Sequence, residues 1–225
     1  MPLITFDFHN TLAHCDAWFE LEVRTLPSVV LAAASGIVLD DETRVSVDAA
    51  YRRVREQVMA TGIELDALAS VLATYDALGI EVDREAATAA IDAAMRHALH
   101  DLQPVDGAVA LVTQLHEDGY RLGIVSSAVY HPFLEWALAA FDIAHCFEFV
   151  VTSASAGYYK SSPAIYHHAL GLASMRPHEA VHIGDSARWD VTTAASIGIG
   201  TVLLRTARID RFANAADLLP PDLTL

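Results

Sequence analysis

The chain has 225 residues, 53% of them hydrophobic and 19% charged, which is enough to bury one substantial core. Fourteen Lys and Arg stand against 29 Asp and Glu, a formal net charge of −15. That balance argues against nucleic acid as a partner, since such binding draws on a basic surface, and an anionic ligand would need positive charge supplied locally by its own site.

The apolar run Pro2-Leu3-Ile4-Thr5-Phe6 reads as a first strand delivering Asp7 to the loop Phe8-His9-Asn10-Thr11-Leu12. From about Ala13 to Asp101 the periodicity is helical throughout, with segments near Asp16 to Ala34, Asp41 to Thr61, Leu65 to Gly79 and Arg84 to Leu99. Gly36, Gly62 and Gly79 stand where helices stop, and Asp40, Asp41 and Asp83 where they are capped. Pro27 predicts a kink or break after Leu26.

From Pro104 the pattern becomes alternating helix and strand. Strands are expected over Arg121 to Ser126, Phe147 to Thr152, Ala180 to Gly184 and Gly200 to Leu204. Helices are expected near Gly107 to Asp118, Pro132 to Phe141, Pro163 to Leu172 and Asp190 to Ile197, and a last one over Ile209 to Leu219, ended by Pro220-Pro221. Such alternation implies an α/β fold: a doubly wound, Rossmann-like parallel sheet joined by right-handed crossovers. The division is a core of residues 1–13 and 102–225 with an inserted α-helical cap, 14–101.

Cys15 and Cys146 cannot build a disulfide framework, and no Cys-x-x-Cys or Cys/His cluster at zinc-ligand spacing accompanies them, so both read as buried small apolar residues. No charged-then-apolar leader opens the chain. Its longest apolar stretch, Ser28 to Leu39, is too short for a bilayer and contains Ser35-Gly36. The expectation is a soluble cytoplasmic protein with no membrane partner.

Polar clusters follow four of the apolar runs: Asp7 to Thr11, Ser126-Ser127, Lys160 and Gly184-Asp185. In this order, each at a strand end, they resemble the four motifs of the haloacid dehalogenase superfamily, whose members are mostly phosphatases. The resemblance covers Leu3 to Leu12 and Pro104 to Leu204; the cap is matched by position and helicity only, so no cap residue inherits a role. It implies a Mg²⁺-dependent hydrolase acting on a small phosphorylated metabolite. Asp7 would be the nucleophile that forms an aspartyl-phosphate, and Lys160 would offset the charge of nucleophile and substrate. Ser126 and Ser127 would hold phosphoryl oxygens, with Thr11 orienting the first loop. Magnesium, which favours an octahedron of oxygens, would take Asp7, Asp185 and the backbone carbonyl of His9, with Asp190 hydrogen-bonding the site from behind.

Two departures stand out. His9 occupies the place of the family's second, acid/base aspartate, and Asn10 that of a glycine. Histidine can do acid/base work, although a nearby dication disfavours its protonated form; altered chemistry and a steric role are the other readings. Loss of that aspartate, and Tyr166 six residues after Lys160, fit a metal-free 2-haloacid dehalogenase, whereas Asp185 fits the metal enzyme. A non-catalytic binding module would be expected to lose Asp7 or Lys160 first. Trp18, Phe19 and Glu20 follow the first loop closely enough to shape a pocket, or else simply pack the helix. Trp189 reads as core packing, and His97, His100, His167 and His168 as surface or half-buried positions. The usual proline after the lysine is replaced by Ser161. Oligomeric state is not legible.

Overall fold

The computed structural model describes residues 1–205 and 221–224. The helix expected over Ile209 to Leu219 lies outside the described residues.

A six-stranded parallel sheet carries the fold. Its strands are β1 (Leu3–Phe6), β4 (Arg121–Ser126), β5 (Phe149–Thr152), β6 (Ala180–Gly184), β7 (Gly200–Leu203) and β8 (Leu223–Thr224), ordered β5-β4-β1-β6-β7-β8. The chain leaves β1 toward β4 and β5, then returns to the other side of β1 at β6. That reversal is the switch point at which doubly wound sheets open a crevice beyond their carboxyl ends. Register fixes which loops meet there: Phe6 pairs with both Ile124 and Ile183, so Asp7, Ser126 and Asp185 emerge at one edge. The two-residue strand β8 was not expected, being too short to show a period. It is held by Asp222, whose Oδ2 accepts from Thr201 N at 2.7 Å.

Two short strands, β2 (Ala13–His14) and β3 (Gln103–Pro104), pair antiparallel. They tie together the two passages between the sheet and the helical insertion, which consists of α1 (Asp16–Glu20), α2 (Leu26–Ser35), α3 (Asp41–Thr61), α4 (Ala67–Asp76) and α5 (Arg84–Ala98). Asp40, Asp66 and Asp83 each accept the backbone N–H three residues on, capping α3, α4 and α5. Asp40 and Asp83 match expectation; Asp41 is instead the first helical residue, and Asp66 is a cap that the apolar pattern starting at Leu65 concealed. Gly36 and Gly62 end α2 and α3 with φ of 68° and 71°.

The single helix expected from Asp16 to Ala34 is three pieces. A π-helical turn, Leu21–Thr25, separates α1 from α2. Pro27 has no N–H to give to Val23 and its ring crowds that turn, so the break falls just before Leu26.

The remaining helices are α6 (Ala108–Glu117), α7 (His131–Ala140), α8 (Ser153–Ala156), α9 (Ala164–Ala173) and α10 (Thr193–Ala195). One apolar cluster runs from the inserted helices through α6 and α7 to one sheet face, and includes Trp18 stacked on Phe133 at 5.0 Å. A second cluster packs α9 and Ala194 against the other face. Among the described residues, no helix is long and apolar enough to cross a membrane.

Candidate active site

The segments that follow β1, β4, β5 and β6 bring side chains together around Lys160. That residue is 2% exposed, and its Nζ lies 2.5 Å from Asp7 Oδ1 and 2.6 Å from Asp190 Oδ1. Ser126 Oγ donates to the same Asp7 oxygen at 3.1 Å. Ser127 works one step back: its hydroxyl receives Lys160 N–H at 3.4 Å and so fixes the lysine loop to the end of β4. Thr11 hydroxyl is buried with no hydrogen-bond partner, while its backbone N–H goes to Phe8. The loop is therefore held by main chain.

Asp190 is fully committed. Oδ1 takes Lys160 and, at 3.1 Å, His182 Nε2; Oδ2 takes Ser186 N–H at 2.9 Å. The expected helix start at Asp190 is corrected: a π-helical turn runs Ala187–Thr192 with Ser186 as its cap. Asp190 thus lies within the first turn, and the wide turn lets its carboxylate fold back onto Ser186 N–H.

His182 and Thr5 are register partners on adjacent strands, with His182 Nδ1 2.9 Å from Thr5 Oγ1. Because Nε2 faces a carboxylate, the network assigns the proton there, and Nδ1 accepts from the threonine. Burial holds this imidazole below its usual pKa despite Asp190, consistent with a neutral ring. Neither residue was singled out from sequence; the available signal was a polar residue inside each of two otherwise apolar strands.

Asn10 was likewise read only as a substitution. It sits at φ 62°, the left-handed region where glycine is easiest and asparagine is the commonest alternative. Its side chain hydrogen-bonds Asp185, and its Oδ1 lies 3.2 Å from His14 Nδ1.

His9 is buried, its ring stacked on Phe19 at 4.6 Å and edge-on to Trp18 at 5.6 Å. Phe19 therefore reaches the site. Trp18 mainly packs against Phe133 and Phe8. Glu20 does not reach it, forming a half-exposed surface pair with Arg24. Tyr166 is held from behind: its hydroxyl donates to the Trp189 carbonyl at 2.8 Å and its ring packs on His182. His97, His100, His167 and His168 are exposed, as expected.

The inserted helices close over this edge. Val129, three residues beyond Ser126, gives its N–H to both Glu22 carboxylate oxygens at 2.9 and 3.0 Å and receives Ala67 N–H on its carbonyl. Arg55 and Glu64 form a buried bidentate pair at 2.6 and 3.1 Å, with the guanidinium over Tyr159.

Electrostatically the site lacks positive charge. One oxygen each of Asp7, Asp185 and Asp190 lies within 4.8 Å of the others. Burial, then repulsion from Asp7 and Asp190, pushes Asp185 up to about 8. Burial also raises Asp7 against the pull of Lys160. Asp190 goes the other way, because Lys160 and His182 outweigh its burial. Burial would lower Lys160, yet the charges of Asp190 and Asp7 hold it above its usual value. With Asp190 taken up by Lys160, His182 and Ser186, the oxygens of Asp7 and Asp185 are the hard donors that a small dication fits.

A family description of haloacid dehalogenase-like hydrolases matches residues 1–198. The chain belongs to that family. Among family relatives, haloacid dehalogenase-like hydrolase domain-containing protein 3 of Bos taurus is 35% identical over 102 residues, covering 45% of this chain and 40% of the bovine protein, so the match spans less than half of that relative's length. Glyceraldehyde 3-phosphate phosphatase of Methanothermobacter thermautotrophicus is 26% identical over 92% of this chain and 86% of its own. In structure, the HAD-hydrolase YfnB of Bacillus subtilis bound to magnesium superimposes with a TM-score of 0.64 at 16% identity, covering 100% of this chain and 93% of that one.

Proposed function

We propose that this hydrolase is a Mg²⁺-dependent phosphatase of a small organophosphate. The convergence of Asp7, Asp185 and Asp190 around a single lysine carries the reading. Asp7, Asp185 and the His9 backbone carbonyl would hold the ion, Asp190 being spent on Lys160, His182 and Ser186. Bound there, Mg²⁺ would neutralise the phosphoryl oxygens and favour the charged form of Asp185.

The chain's own groups supply the rest. Ser126, Thr11 and Lys160 bind phosphoryl oxygens, with Ser127 fixing the lysine loop. Asp7 attacks phosphorus, the bond to the ester oxygen breaks, and an aspartyl-phosphate forms for water to hydrolyse. His9 gives the leaving alcohol its proton and later draws one from that water. Residues 14–101 act as a cap that excludes bulk water, with the β2–β3 ribbon at its base. The glyceraldehyde 3-phosphate phosphatase name of the archaeal relative points to substrates of about that size.

The dehalogenase reading loses the support of Tyr166, whose hydroxyl is taken by Trp189, while Asp185 is retained and braced by Asn10. The test is hydrolysis of p-nitrophenyl phosphate and small phosphate esters with Mg²⁺, with EDTA, and with Asp7→Asn. Activity requiring both metal and Asp7 supports the phosphatase. Chelator-insensitive halide release from 2-haloacids would replace it with the dehalogenase, and Mg²⁺ binding without any turnover would leave a binding module.

A further inference from the structure

His116, His145 and Cys146 come together at the amino-terminal edge of the sheet, on the far side from Asp7. His116 lies in the last turn of α6; His145 and Cys146 lie in the 3-10 turn Ala144–Cys146 that leads into β5. Length of strand separates this cluster from the carboxyl-end site, on the order of 15 Å at about 3.3 Å per residue of β4. One ligand atom from each of the three lies within 4.8 Å of the others. Cys146 is buried beneath two exposed imidazoles.

We propose that His116, His145 and Cys146 form a binding site for zinc or a similar borderline-soft divalent ion, independent of the catalytic chemistry. Two imidazoles and a thiolate are a zinc donor set rather than a magnesium one. Spacing agrees. Zn–N of about 2.0–2.1 Å and Zn–S of about 2.3 Å in a tetrahedron put nitrogen and sulfur roughly 3.6 Å apart, and Cys146 Sγ lies 3.6 Å from His145 Nε2. The His116 and His145 rings already meet edge to face at 5.7 Å, and His116, being exposed, can turn its ring inward.

The surroundings favour a cation. Burial, then the Asp142 and Glu117 carboxylates, disfavour the Cys146 thiolate without metal; the same two negative charges would stabilise a bound dication. Binding would staple the end of α6 to the turn that feeds the edge strand β5. The sequence hides the site because the ligands come from separate helix–strand connections, with no local spacing to mark it.

Zinc titration in excess Mg²⁺, which keeps the oxygen site loaded, tests this. The expected result is one tight Zn²⁺ per chain, weakened at least about tenfold by His116→Ala or His145→Ala, since loss of a ligand costs at least as much as loss of its hydrogen-bonded support. Co²⁺ should produce a thiolate charge-transfer band that Cys146→Ser abolishes and Cys15→Ser keeps. At 100 times Kd, Zn²⁺ should raise the folded-to-unfolded ratio about 100-fold in the parent and not in Cys146→Ser, while Cys146→Ser leaves phosphatase turnover unchanged. Zinc binding that is absent, or equal in all the variants, overturns the proposal, as does a cobalt band that survives Cys146→Ser.

Discussion

A Cβ added to Gly184 would fall 2.2 Å from Cγ of Asp190, so the last residue of β6 and the acid that clamps Lys160 meet with no space between them. Gly184→Ala should push Asp190 off Lys160 and His182. We expect a stability loss of roughly 1–3 kcal/mol from overpacking, read by urea denaturation, together with a larger fall in turnover than any surface substitution causes. Unchanged turnover would mean that Asp190 does not position the lysine.

Asn10 combines a left-handed backbone with a hydrogen bond to Asp185, and two substitutions separate these contributions. Asn10→Gly keeps the conformation and drops the hydrogen bond; it should weaken Mg²⁺ affinity by about 10–100-fold, as loss of a group supporting a metal ligand commonly does. Asn10→Ala adds backbone strain of about 1–2 kcal/mol, so it should also lower thermal stability. Equal stability of the two variants would contradict the strain argument.

Glu22 predicts a pH dependence of stability. Burial pushes its carboxyl up to about 8, against the Val129 N–H and Arg55, with Glu64 adding to the rise. In the unfolded chain it would titrate near 4.3. The folded state therefore holds the extra proton between these values, and its contribution, complete below about pH 4, is lost as pH rises through about 8. Glu22→Gln should remove this decline, so parent and variant should diverge between pH 5.5 and 8.5 in denaturant melts. Parallel curves would show that Glu22 ionises at its ordinary pKa.

The Arg55–Glu64 pair offers a test of how the inserted helices are held. Both side chains are buried and bidentate, so removing one partner strands a charge. Glu64→Ala should cost about 3–5 kcal/mol. Replacement of both by apolar residues of similar volume should cost much less; a double variant as unstable as the single one would point to lost packing instead.

His9 carries the least familiar element of the chemistry. If it protonates the leaving alcohol, His9→Ala should slow hydrolysis of alkyl phosphates on the order of 10²-fold or more, and p-nitrophenyl phosphate, whose leaving group needs no acid, far less. His9→Asp should restore much of the alkyl phosphate rate. A uniform loss across leaving groups would assign His9 to shaping the pocket with Phe19.

The architecture and the four strand-end groups were readable from the sequence because the signals are local. An apolar run followed by Asp7 is a strand end whatever surrounds it, and four such ends in one parallel sheet must share an edge. Helix stops at Gly36 and Gly62 were equally local, each a glycine at the backbone conformation it tolerates best. Tertiary structure alone decided which partners those groups meet. Nothing along the chain indicates that His182 and Thr5 stand in register beneath Asp190, that the Tyr166 hydroxyl meets the Trp189 carbonyl, that Glu22 reaches Val129, or that His116 lies beside Cys146. Periodicity records which face of an element is buried, whereas these pairings depend on register between strands and on the packing of helices far apart in the chain.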